Sequence, residues 1–236
     1  MRIVHAGGVA GASTAAGTVV VIDVIRAFSV SAYALACGAR ECRLVAEVEE
    51  ARSLAAQLEG TVVSAEVDGL PVEGIPMSNS PTMVLEADLH GCTLVQRSSS
   101  GTQGMVAATA AEMRFACSLV VASATAEAVR AVAPSLVTLV ATGDDYQHPE
   151  DRACAEYLEG LLEGRRPDLD RLLQPLYATE RYRQISTGSW PGFPASDVPL
   201  CLAADRFDFA MPVVMDHLGL KLTALSRDQL TRSIHA

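Results

Sequence analysis

Nine consecutive residues, Val19-Val20-Val21-Ile22-Asp23-Val24-Ile25-Arg26-Ala27, narrow the choice of fold more than any other part of the sequence. Three valines and an isoleucine follow one another without polar alternation. That suits a strand covered on both faces of a parallel sheet. Asp23 comes directly after the run, and Arg26 follows two apolar residues later. Phe28 to Cys37 then reads as a helix closed by Gly38, the residue type that commonly caps one. In open α/β sheets, ligands sit outside the carboxyl ends of strands, where this order of elements puts Asp23 and Arg26. Two readings of the pair stand side by side. They are a ligand-facing acid and base, or an Asp that caps the next helix with an Arg paired to it.

The same alternation of apolar run, carboxylate and turn returns further on. Arg43 to Ala46 reads as a short strand, Val48 to Leu58 as a helix, and Thr61–Ala65 as a strand ending at Glu66. A loop with Gly69, Pro71, Gly74 and Pro76 follows, and loops of this kind commonly carry function. It closes at Ser78-Asn79-Ser80-Pro81, where Ser80 fits an N-cap and Pro81 the first residue of a helix running to about Asp88. Thr93–Gln96 is a further strand. It leads into Arg97-Ser98-Ser99-Ser100-Gly101-Thr102, with a helix starting near Thr102 or Gln103. Small hydroxylated residues and a glycine before a helix suit an anion held on backbone N–H groups, although no Walker lysine follows. The competing reading is an ordinary polar turn.

Leu119–Ala122 and Leu136–Ala141 read as strands on either side of a helix from Ala124 to Val132, the second leading into Thr142-Gly143-Asp144-Asp145. From Pro149 a helix carries Ala153, Cys154, Tyr157, Leu158, Leu161 and Leu162 on one face and ends at Gly164. Glu150 and Asp151 lie in its first turn, where acidic residues stabilise a helix in their own right. Beyond Arg165 the sequence predicts short charged helices at Leu169–Leu173 and Thr179–Ile185, then a loop from Gly188 to Pro199. Short strands follow at Leu200–Ala203, Phe209–Met215 and Leu222–Leu225. Asp197, Asp205, Asp208 and Asp216 read as turn residues. His5, His90, His217 and His235 read as loop or surface residues.

At 236 residues, 50% of them hydrophobic, the chain can bury a large core. It would form one α/β domain over 1–236, or two closely packed halves, roughly 1–115 and 116–236. The net charge of −10 is scattered, which argues against nucleic acid or an acidic membrane surface as partner. No run reaches transmembrane length and no basic region precedes an apolar leader, so a cytoplasmic location is expected. Lys221 is the only lysine. An anion pocket here must therefore rest on guanidinium groups and backbone N–H groups, with or without a metal, and Schiff-base chemistry is disfavoured. Cys37, Cys42, Cys92, Cys117, Cys154 and Cys201 form no C-x-x-C pair and read as reduced core thiols rather than a zinc site. The apolar, low-charge composition is compatible with a homodimer.

Taken together, five stretches resemble the 2-phosphosulfolactate phosphatase (ComB-like) family. They are Val20 to Ala27, Glu66 before the Gly-rich loop, Gly74 through Asn79-Ser80-Pro81, Ser100-Gly101-Thr102, and Glu150-Asp151 after Thr142-Gly143. The likeness covers most of residues 18–165 and continues more loosely to Pro212. The resemblance implies a layered α/β/α fold with a mostly buried central sheet. It also implies a cytoplasmic, Mg²⁺-dependent phosphatase that converts 2-phospho-3-sulfolactate to 3-sulfolactate in coenzyme M biosynthesis. Asp23 and Glu66 then become the candidate metal pair, and Asp23, Glu66, Glu150 and Asp151 the candidate catalytic groups. Arg26, Asn79, Ser80, Arg97, Ser99, Ser100, Gly101 and Thr102 become candidate contacts to a small phosphorylated anion. Arg152 ranks behind Arg26 and Arg97, and His148 is either a general acid or a solvent-exposed loop residue.

Two departures bear on the substrate. Phe28-Ser29 stands where the family typically has consecutive threonines, and Ser99-Ser100-Gly101-Thr102 where it commonly has Thr-Asn-Gly-Thr. Phe28 is expected to remove a hydroxyl near the metal end, and Ser100 to remove an amide. The substrate could then be another phosphorylated small acid, or the pocket could bind an anion without turnover. The Asp-x-Asp signature of haloacid-dehalogenase phosphatases is absent, because Ile25 holds the place of the second acid.

Overall fold

The computed structural model describes residues 1–143, 148–226 and 229; Asp144, Asp145 and His235, named above, lie outside these residues. The chain opens with β1 (Arg2–Gly7), α1 (Gly8–Thr14), β2 (Gly17–Ile22), α2 (Ala27–Ala36), β3 (Glu41–Val45) and α3 (Val48–Gln57). It continues through β4 (Thr61–Val67), β5 (Leu70–Pro71), α4 (Pro81–Glu86), β6 (Thr93–Arg97), α5 (Gly101–Ala107) and β7 (Ala111–Cys117). Then come α6 (Ala122–Val132), β8 (Leu136–Ala141), α7 (Pro149–Leu162), α8 (Leu169–Tyr177), α9 (Glu180–Ser186) and α10 (Asp197–Leu202). The last strands are β9 (Phe209–Asp216), β10 (Gly219–Leu222) and β11 (Leu225–Ser226).

Among the described residues these strands form one sheet in the order β1-β8-β2-β7-β9-β10-β3-β6-β4-β5, with β11 beside β9. Helices flank it on both faces, giving a layered α/β/α arrangement. All six residues of β2 are buried, as its unbroken apolar run requires of a central strand. α2 is apolar on nearly every side and is buried from Ala27 to Leu35, so it packs within the molecule rather than on its surface.

The sheet holds two parallel groups. β1, β8, β2 and β7 form one, and β3, β6 and β4 the other. The antiparallel strands β9 and β10 join them. Three successive antiparallel pairings separate β7 from β3, so the two groups point in opposite directions along the ladder. Asp23, directly after β2, nevertheless packs against Gly101, which opens α5 after the short turn that follows β6. The ladder therefore curls until the carboxyl ends of the two groups converge, using the twist that strands carry intrinsically.

Several elements differ from the sequence-based expectation. Leu119–Val121 is a short 3₁₀ turn that runs into α6, and the strand lies before it at Ala111–Cys117. Leu200–Ala203 belongs to the end of α10 rather than to a strand. Short apolar runs carry no period that separates a buried strand from a buried helical turn, and both errors have that origin. The run Leu222–Leu225 is divided between β10 and β11. β1 and α1 precede the first strand that the sequence pattern marks. Among the described residues β1 pairs only with β8, and its partly exposed pattern lacks the apolar density of a central strand. None of the described helices is long and apolar enough to cross a membrane.

Candidate active site

Asp23 leaves the end of β2 at the point where the chain turns into α2. Its Oδ1 accepts the Ala27 N–H at 2.8 Å, so the carboxylate does close the first turn of α2. It also lines a cavity of about 390 Å³, so capping and ligand-facing roles coexist. Gly101 explains how β6 reaches it, since a Cβ there would lie 2.7 Å from Asp23 Oδ2. Only a glycine lets the backbone approach so closely, and its N–H tempers the rise in the carboxyl's proton affinity.

The peptide joining Ile25 to Arg26 is cis. Arg26 is buried, with its guanidinium 3.9 Å from the centre of the Phe193 ring. Arg26 Nη1 donates to Asp197 at 2.8 Å and to the Gly192 carbonyl at 3.3 Å. Asp197 is fully buried and also accepts from the Ser80 hydroxyl at 2.7 Å and the Thr82 N–H at 3.0 Å. It is no turn residue. It fastens α10 to the start of α4 and to Arg26.

Glu66 sits near the end of β4. Its oxygens accept the Ser99 N–H at 2.5 Å, the Gly69 N–H at 2.6 Å and the Ser99 hydroxyl at 3.2 Å. Arg97 braces this turn by donating to the Glu66 carbonyl at 2.5 Å, to Ser99 Oγ at 3.0 Å and to the Ala46 carbonyl at 3.1 Å. Asp151 reaches from the first turn of α7 to two strand ends. It accepts the Val24 N–H at 2.7 Å, the Gly143 N–H at 2.8 Å and the Thr142 hydroxyl at 3.4 Å. Glu150 is fully buried beside it and pairs with Arg181 at 2.8 Å, while Arg181 also donates to the Ile25 carbonyl at 3.1 Å.

Burial and neighbouring carboxylates raise the proton affinity of Asp23 and Asp151. Burial pushes Asp23 up to about 6, with Glu66 and Glu150 adding to the rise and the Ala27 and Gly101 N–H groups opposing it. Asp151 is raised well above the usual carboxylate range, first by burial and then by the charges of Asp23 and Glu150. Buried acids perturbed in this way, gathered in a cleft, are what functional sites commonly contain.

Of the residues singled out from sequence, Asp23, Arg26, Glu66, Asn79, Ser99, Ser100 and Asp151 line the cavity. The others stand behind it. Ser80 caps α4 by accepting the Met83 N–H and is tied to Asp197. Thr102 closes its turn on Ser98. Gly101 supplies close approach, Arg97 the brace, and Glu150 the pair with Arg181. At the expected anion cradle at the start of α5, the Thr102 N–H is taken by Ser98 Oγ at 2.9 Å, and Gly101 packs against the Asp23 carboxylate.

Arg152 is exposed, bonds Glu156 one helical turn on, and does not reach the cavity. His148 is half-buried and lines it. Phe28 is fully buried in the core, so that departure changes packing rather than the cavity wall, whereas Ser100 does face the cavity. The cavity also borders Arg181 and Trp190, which lie in segments with no local motif to mark them.

Among the described residues, no group of three or more His, Cys, Asp or Glu side chains is arranged to hold a metal ion. Asp23 and Glu66 still fit a hard divalent cation, for two reasons. Mg²⁺ is commonly bound through one or two carboxylates and completes its oxygen shell with water and phosphate. And like-charged buried carboxylates meet here with, among the described residues, no arginine or lysine bonded to either, in a cavity large enough for a small anion.

A family model described as 2-phosphosulpholactate phosphatase matches residues 8–187. A protein of Bacillus subtilis (strain 168), named probable 2-phosphosulfolactate phosphatase, is 30% identical over 208 residues, 84% of this chain and 87% of that protein. A protein of the same name from Carboxydothermus hydrogenoformans is 34% identical over 145 residues, 61% of this chain and 60% of that protein. Another, from Caldicellulosiruptor saccharolyticus, is 30% identical over 155 residues, 64% of each chain.

Proposed function

The chain belongs to the 2-phosphosulfolactate phosphatase family, and from that premise we propose that it is a Mg²⁺-dependent phosphoric monoester hydrolase. Its substrate would be 2-phospho-3-sulfolactate or a related phosphorylated small acid, which would place it in coenzyme M biosynthesis or an allied route in the cytoplasm. The observation that carries this reading is the meeting of Asp23 and Glu66, from the ends of strands in two different parallel groups, in one cavity with Arg26 and Asn79.

Phosphate monoester hydrolysis is governed by placement and electrostatics more than by covalent chemistry. Asp23 and Glu66 would hold Mg²⁺, which when bound supplies positive charge for the phosphoryl oxygens. Arg26, whose Nη1 is committed to Asp197 and Gly192, offers the rest of its fork to an anionic group of the substrate. Asn79 and Ser100 offer shorter-range polar contacts at the same wall. His148 borders the cavity and is the group proposed to protonate the leaving oxygen. Asp151 fixes the ends of β2 and β8, and thereby the position of Asp23.

The test is phosphate release from a panel of phosphorylated small acids, 2-phospho-3-sulfolactate included, with Mg²⁺ and with chelator. Turnover that requires Mg²⁺ and is greatest for acids carrying a second anionic group is expected. Ligand-dependent melting shifts with no phosphate released from any member would replace this reading with that of an anion-binding protein. Size-exclusion chromatography with light scattering tests the expected homodimer.

A further inference from the structure

We propose that Gln96 is a positioning residue that decides which end of the Asn79 side chain meets the substrate, and so makes Asn79 a donor to an anion. The inference rests on the reading of the cavity as a site for a phosphorylated acid. A carboxamide has a donor end and an acceptor end of nearly equal size, and at an anion site the two have opposite effects. A lone asparagine could present either.

The surroundings of Gln96 remove that freedom. Gln96 lies on β6 and is fully buried. Its amide nitrogen donates to the Ala27 carbonyl at 2.7 Å and to Asn79 Oδ1 at 2.8 Å, and its oxygen accepts the Ser31 hydroxyl at 2.5 Å. A backbone carbonyl can only accept, so the group facing Ala27 must be the NH₂ of Gln96. The second hydrogen of that NH₂ points at Asn79, which must answer with its oxygen. Asn79 Nδ2 makes no hydrogen bond to the described protein and is not among the polar atoms sealed from solvent without a partner. Asn79 itself lines the cavity, so the NH₂ end is the one a ligand meets. The polarity is thus relayed from the first turn of α2, beside Asp23, through Gln96 to the loop that follows β5.

A reversed Asn79 would set two NH₂ groups against each other in a fully buried place. It would also turn an oxygen toward the incoming anion. Gln96 touches neither the cavity nor any reacting atom and acts only through Asn79.

The chain has a single tryptophan, and Trp190 lines the same cavity, so its fluorescence reports binding of inorganic phosphate directly. Gln96→Glu keeps the size but replaces the donor with acceptors, and should induce Asn79 to turn its NH₂ inward. Phosphate affinity should fall about tenfold, and the loss in turnover should appear in KM rather than kcat. Gln96→Met, which removes the lock without reversing it, should fall between wild type and Gln96→Glu. In an Asn79→Ala background, Gln96→Glu should weaken phosphate no further, because the effect has lost its only carrier.

Equal weakening in both backgrounds would overturn the proposal, as would a loss confined to kcat or unaltered phosphate affinity in a folded Gln96→Met protein. Should Gln96→Glu not fold, the Gln96→Met variant in the two backgrounds gives the same comparison. Wild-type protein that neither responds to phosphate nor releases it from any substrate overturns the cavity reading, and this inference with it.

Discussion

At the junction of β3, β9 and β10, Asp216 meets the Arg43 guanidinium through two hydrogen bonds of 2.6 and 3.0 Å, with Glu41 and Lys221 completing a mixed-sign network. In the cavity, Asp23, Glu66 and Asp151 draw together with no basic side chain bonded to any of the three among the described residues. The two neighbourhoods treat the same chemical group in opposite ways. Hydrogen bonds from Arg43 hold the Asp216 carboxyl below the usual carboxylate range, whereas burial pushes Asp23 above it. At the junction, opposite charges fasten one strand to another. In the cavity, the fold tolerates like charges because backbone N–H groups satisfy their hydrogen bonding, and the deficit of positive charge is left for what binds there.

Substitutions that exchange these two behaviours should test the contrast. Asp23→Asn removes a charge from the acidic wall and should cost phosphate release roughly 10³–10⁴-fold, about 4–5 kcal/mol of activation free energy, with the melting temperature at pH 7.5 unchanged or raised. Parallel turnover and thermal-melting measurements check both halves of that expectation. Asp197→Ala does the reverse, leaving the buried Arg26 without its carboxylate. It should lower stability by about 3–5 kcal/mol in denaturant unfolding, because an uncompensated buried charge remains.

The pH dependences should carry opposite signs. For Asp23, raised from 3.8 to about 6, the folded state keeps the proton that the unfolded state releases. Its unfavourable contribution therefore grows as pH rises through that window and is fully present above it. The stability advantage of Asp23→Asn over wild type should widen from pH 4 to pH 7, and Mg²⁺ should narrow it. For Asp216, with its proton affinity lowered, the favourable contribution is present above the ordinary value and is lost as pH falls through the folded one. The deficit of Asp216→Asn should therefore vanish in acid. A melting series across pH on the three proteins reads both signs. The smallest effect is expected at the exposed Arg152–Glu156 pair, where Arg152→Ala should change stability by less than about 0.5 kcal/mol and leave turnover unchanged.

How much the sequence revealed depended on the range of the interaction. Asp23 and Glu66 could be placed because an apolar strand ending in a carboxylate is a local pattern, and so could Ser80 as a cap followed by Pro81. Asp197 could not, since its meaning lies in Arg26, 171 positions away. Arg181 and Trp190 reach the cavity only through packing that no local spacing records. Gln96 reads as the last residue of a strand, and its chemistry depends on three partners, Ala27, Ser31 and Asn79, brought in by other elements. Phe28 shows the converse. A departure from the family pattern next to Asp23 looked functional, yet a helix turns each residue to a new face, and this one points into the core.

The β9–β10 hairpin has a consequence for how a cell makes this protein. Synthesis is vectorial, and the segment that joins the two parallel groups leaves the ribosome after every strand of both. Until residue 222 emerges, β7 and β3 each present an open edge to the crowded interior, with the nascent chain's halves tethered but unjoined. A message cut short just before the hairpin would thus yield a polypeptide carrying every residue that lines the cavity and two adhesive borders, and it would be a substrate for quality control rather than a smaller working protein.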